Sequence, residues 1–225
     1  MSDHSISRRN VLRGSLAAAC GVALLSPAVF AEQLSRTPAV EEGPFYPHRM
    51  LLDTDNDLII INDSLTPAIG TVAHLGGRVL DASGSPIRNA LVEIWQCDVD
   101  GHYIASGSGG RQDKNFQGYG RFLTGSSGEY YFRTIKPVPY SGRPAAHIHY
   151  KIRTGRTELL TTQLFIKGFA GNQRDHIYMN VRDPKDRDLV STDFKPMENS
   201  KIGEVSAEFD LVLGRTPADQ DDHPH

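Results

Sequence analysis

The chain has 225 residues, enough for one domain with a full core and short for two. Apolar residues make up 39% and charged residues 23%, the balance of an ordinary water-soluble globular domain. A net charge of −3, with no basic run beyond the first 13 residues, points away from nucleic acid or a membrane surface as partner.

The chain opens on SRRNVLRG, then an apolar run over residues 15–25, then Val29-Phe30-Ala31 as a small-residue cleavage site. This is the layout of an export signal over residues 1–31, too short for a stable transmembrane anchor. The pair Arg8-Arg9 followed by Asn-Val-Leu resembles a twin-arginine signal, an address read by a receptor. That route carries folded proteins, often with a cofactor already inserted, and it predicts a periplasmic or exported product. Cys20 lies in the apolar run and leaves with the signal; Ala17 stands where a lipid-attachment site usually has Leu. Cys97 is then the one cysteine of the mature chain, so no internal disulfide forms, and a small buried apolar role is expected for it.

Residues 32–57 read as irregular, with the rigid turn-rich stretch GPFYP at 43–47. Short alternating or apolar runs follow at 58–61, 71–80, 90–98, 118–125, 126–135, 145–153, 159–166 and 203–214, separated by Gly-marked turns. No sustained 3.6-residue apolar period interrupts them. The pattern predicts an all-β sandwich over residues 32–214, followed by a polar tail at 215–225.

His147 and His149 stand two apart in an alternating run, so both side chains leave one face of a strand. Such a pair is either a set of metal ligands or two exposed histidines on a solvated face, and the remaining donors decide. The first acid after His149 is Glu158, beyond a Thr-Gly turn, which excludes a cupin-type set. Residues 145–153 contain no acid, so a facial triad for iron(II) also lacks its carboxylate. The residues that do surround the histidines are tyrosines, and tyrosinate is a hard anionic donor suited to a trivalent ion.

Four motifs in order give these residues a context. EEGPFYP (41–47), VEIWQCDVDGHY (92–103), GYGRFLTGSSGEYYFRTIKPVPY (118–140) and GRPAAHIHY (142–150) resemble the intradiol ring-cleavage dioxygenases, protocatechuate-type. The resemblance implies a prealbumin-like β-sandwich and an iron(III) centre held by Tyr103, Tyr140, His147 and His149, with Tyr140 the ligand that leaves when substrate binds. It implies that Arg143 faces developing negative charge, that Gln163 lies behind the site, and that Trp95 lies near the substrate ring. The reaction implied is opening of a catechol-type ring with both atoms of O2, giving a muconate-type diacid, in a protein that forms a homo-oligomer. One departure concerns Arg143, which stands four residues before His147 where the family usually has three. Either a small bulge still aims the guanidinium inward, or the arginine lies out of reach. The alternative from another class is a non-catalytic transthyretin-like binding module, since GGRVLDASGSPIRNALVEIW and TGSSGEYYFRTI also suit a plain sandwich.

Overall fold

The computed structural model describes residues 33–48, 51, 53–62, 64–103 and 113–214. The signal segment, Cys20 and the polar tail lie outside the described residues. Two five-stranded sheets face each other. The first contains β1 (Val72–Asp81), β4 (Glu129–Ile135), β8 (Lys195–Pro196), β9 (Val205–Glu208) and β10 (Leu211–Leu213). The second runs β3 (Tyr119–Leu123), β2 (Leu91–Trp95), β5 (His147–Thr154), β6 (Thr157–Ile166) and β7 (Ser191–Thr192). The all-β sandwich expected from the sequence is the fold.

Alternation along the strands builds the core. Leu75 and Phe132 from the first sheet meet Val92, Ile94, Ile148 and Ile152 from the second, all buried in one cluster. What distinguishes β5 is that residues 147–152 are buried on both faces. Ile148, Tyr150 and Ile152 point to the core, while His147, His149 and Lys151 occupy the outer face and are buried there too. The cover is the leading segment. It is tied down by Thr37 N–H to the Val212 carbonyl (3.0 Å) and Val40 N–H to the Thr161 carbonyl (3.0 Å). Glu42 pairs with Lys151, whose ammonium also lies 4.1 Å from the Tyr46 ring centre.

Two expectations are corrected. Residues 58–61 form a turn rather than a strand. Asp55 accepts from Asp57 N–H and Asp57 from Ile59 N–H, so side-chain turns take the backbone groups that a ladder would use. The apolar run reflects burial alone, since Leu58 and Ile59 are core residues. The run at 203–214 is two strands, β9 and β10, both parallel to β1 in one register. They are interrupted where Asp210 turns its carboxylate onto Arg78 N–H. Two short helices, α1 (His176–Asn180) and α2 (Pro184–Leu189), follow β6. Their five and six residues are too few to leave a legible period in the sequence.

Candidate active site

The site forms on the outer face of the second sheet, beneath the leading segment. In the ladder, Trp95 of β2 stands opposite His149 of β5, and His149 stands opposite Gln163 of β6. Three neighbouring strands therefore place the indole, the imidazole and the amide in one row. Trp95 stacks on His149 with ring centres 4.8 Å apart and planes 8° from parallel, which fixes the imidazole in orientation.

Tyr103 arrives on the loop after β2. Asp98 shapes that loop by accepting from the N–H groups of Asp100, His102 and Asp113. Phe45 of the GPFYP stretch stacks on Tyr103 at 4.5 Å. The Tyr103 hydroxyl lies 3.1 Å from His149 Nε2 and 3.5 Å from His147 Nε2. Both imidazoles thus turn the same nitrogen toward one phenol oxygen. Tyr140 stands across from Tyr103, with ring centres 5.6 Å apart and planes at 82°, and 5.7 Å from the His147 ring.

His147 Nδ1 lies 2.7 Å from the Ala145 carbonyl, which can only accept, so the proton sits on Nδ1 and the lone pair on Nε2. Burial and then the nearby Arg143 charge push His147 down to about 3, which keeps the ring neutral. Burial, His147 and Arg143 also hold His149 well below its usual range. Burial pushes the Tyr103 and Tyr140 phenols up, and in both the Arg143 charge opposes the shift. A cation bound among these groups would reverse that shift and favour tyrosinate.

Arg143 reaches the site despite its extra residue of spacing. Tyr140 and Arg143 exchange both backbone hydrogen bonds, 2.9 and 3.1 Å, across the Ser141-Gly142 turn. The extra residue lies downstream of that turn, between Arg143 and His147, and the guanidinium still turns inward, nearly fully buried. Its Nε donates to Asp175 Oδ2 at 2.8 Å and its Nη2 to Gln163 Oε1 at 2.8 Å. Gln163 in turn donates to the Glu41 carbonyl at 2.8 Å, linking β6 to the covering segment. Asp175 comes close because Gly171 packs its backbone directly onto the Pro144 carbonyl, where a side chain would collide. Cys97 is buried as expected, its thiol pushed up to about 12 chiefly by desolvation.

Tyr103, Tyr140, His147, His149, Arg143, Gln163 and Trp95, scattered over some seventy positions, are therefore gathered together. Among the described residues no three His, Cys, Asp or Glu side chains cluster for a metal, so an ion here needs phenol donors. Two neutral imidazole nitrogens converging on a phenol oxygen, with a second phenol alongside, are such a set. Sequence reasoning missed Asp98, Phe45 and Asp175. Only Asp175 carried a local signal, an aspartate directly before an apolar turn of helix.

The fold and site together are those of an all-β sandwich that gathers histidine, tyrosine and arginine side chains on one sheet face. The family model described as Dioxygenase matches residues 41–214. The chain is 32% identical over 180 residues to the protocatechuate 3,4-dioxygenase beta chain of Burkholderia cepacia, covering 76% of each. It is 30% identical to the hydroxyquinol 1,2-dioxygenase of Corynebacterium glutamicum over 59% of this chain and 46% of that one, so it spans under half of that relative. Among solved structures, the dioxygenase domain of a carbohydrate-binding fusion protein from Streptomyces sp. SirexAA-E superposes with TM-score 0.59 at 28% identity. That match covers 80% of this chain and 99% of the other. Catechol 1,2-dioxygenase from Acinetobacter sp. ADP1 gives TM-score 0.60 at 26% identity, covering 80% and 63%. The chain belongs to the intradiol ring-cleavage dioxygenase family, a family of oxidoreductases.

Proposed function

We propose that this protein is an iron(III)-dependent dioxygenase that opens a catechol-type ring between its two hydroxylated carbons. The product is a muconate-type diacid carrying both atoms of O2. The observation that supports this most is the convergence of His147 Nε2 and His149 Nε2 on the Tyr103 hydroxyl, with Tyr140 alongside. These four residues would hold the ion. When bound, iron(III) supplies Lewis acidity that lowers the proton affinity of the catechol hydroxyls and primes the ring for O2.

The remaining work falls to the chain. The two histidines stay neutral and fixed, one by the Ala145 carbonyl and the other by stacking on Trp95. Tyr140 is more exposed than Tyr103 and lies on a turn, so its phenolate oxygen can swing aside and take a proton from an incoming hydroxyl. Arg143 offers a buried positive charge to oxyanions that develop on the ring, in a site that the covering segment shields from water. Phe45 and Trp95 form aromatic walls. The relatives' names point to a catechol-type ring, and export by the twin-arginine route would deliver the enzyme folded and loaded.

Tyrosinate bound to iron(III) absorbs in the visible, so the test is the spectrum of purified protein with its iron content. One iron per chain and a visible band are expected. A preparation that stays colourless after iron reconstitution would overturn the ligand assignment and favour a plain sandwich module.

A further inference from the structure

We propose that Asp175 is the positioning residue of this site, one carboxylate that aims Arg143 and, through the Ala145 backbone, orients His147. The inference rests on the function proposed above. Asp175 is fully buried, so its charge must be matched nearby. Its two oxygens divide the work. Oδ1 accepts from Ile177 N–H and Tyr178 N–H, 3.1 Å each, and caps α1. Oδ2 accepts from Arg143 Nε at 2.8 Å and from Ala145 N–H at 3.3 Å.

The second pair matters for the metal side. The Ala145 carbonyl receives the Nδ1 proton of His147, which leaves Nε2 turned toward Tyr103. Asp175 therefore stands one residue behind a ligand candidate and one hydrogen bond behind the arginine. On the arginine, Asp175 holds Nε and Gln163 holds Nη2, so Nη1 is the end of the fork that neither residue holds. A guanidinium gripped at two corners presents the third in a fixed direction. Without the Asp175 grip, Arg143 pivots about Gln163, and the Ala145 backbone loses one of its restraints.

Asp175→Asn separates this role from plain structure. Its amide oxygen still caps α1, while the amide nitrogen replaces the oxygen that faces Arg143 and Ala145. In the iron-loaded enzyme, kcat for catechol is expected to fall about 10–100-fold, the range for losing a group that supports a site residue. KM should change less than about threefold, and iron release to a chelator should quicken by about threefold or more. Asp175→Ser, which also retains a capping oxygen, repeats the measurement should the Asn variant fold poorly. Unchanged kcat together with unchanged iron release in a folded variant would overturn the proposal. A wild-type holoenzyme that cleaves no catechol would overturn the catalytic reading instead, and the iron-release comparison would still decide for or against Asp175.

Discussion

His147 and His149 are the residues on which the site turns, because each holds a neutral nitrogen toward the same oxygen. His147→Ala or His149→Ala is expected to lower iron affinity more than about 100-fold, beyond what losing a supporting group costs. Tyr140→Phe should retain iron and shift the visible band. Iron content equal to wild type in both histidine variants would place the metal elsewhere. Gly101 gives a second residue-scale test. It sits at φ 85°, and a β-carbon there would come 2.7 Å from Tyr140 Cβ. Gly101→Ala should therefore cost about 1–3 kcal/mol in denaturant unfolding and displace Tyr140, changing the spectrum. At this scale the sequence was legible wherever a motif carried it. The spacing H-x-H announced a shared face, and the family resemblance supplied Tyr103, Tyr140 and Arg143. Phe45 and Asp98 were not legible, since their contacts depend on how loops fold back.

Strand β5 divides the work between its faces, and the division can be tested along three consecutive residues. Ile148 lies in the central core between the two histidines. Ile148→Ala should cost about 2–5 kcal/mol and leave iron stoichiometry near one, whereas His149→Ala should do the reverse. Equal loss of iron and stability in both would mean that the faces are not independent. The start of α1 carries the pH dependence. Burial by itself would raise the Asp175 carboxyl, but hydrogen bonds from Arg143, Tyr178 N–H and Ala145 N–H outweigh it and hold the group below its usual range. A depressed folded value means that the stabilisation is present above the unfolded value, about 3.9, and is lost as pH falls through the folded one. Chemical unfolding between pH 5 and 3 should therefore show wild type losing stability more steeply than Asp175→Asn. Strand positions were read well from alternation because packing between two sheets enforces it. The stretch at 58–61 misled because its apolar run answers to burial of a turn, and the outer-face burial of β5 was invisible because the covering segment is remote in sequence.

For the whole molecule, the covering segment explains why the site is buried although it lies outside the space between the sheets. Glu42, Tyr46 and the Glu41 carbonyl fasten that segment to Lys151, Glu93 and Gln163, so access to the site is set by a strap rather than by the sandwich core. The export proposal belongs to this scale too. Arg8→Lys with Arg9→Lys retains charge but removes the guanidinium pair. The variant should accumulate in the cytoplasm, folded and iron-loaded, and fractionation with iron analysis would show it. Unchanged export would assign the segment to general secretion and require iron to be acquired after crossing. The central claim, cleavage between the two hydroxylated carbons with both oxygen atoms retained, is tested most directly by mass spectrometry of the product formed from catechol under 18O2. A ring-opened diacid with one labelled oxygen in each new carboxyl group is the predicted result. A product with a single label, or a ring left intact by the iron-loaded protein, would contradict it.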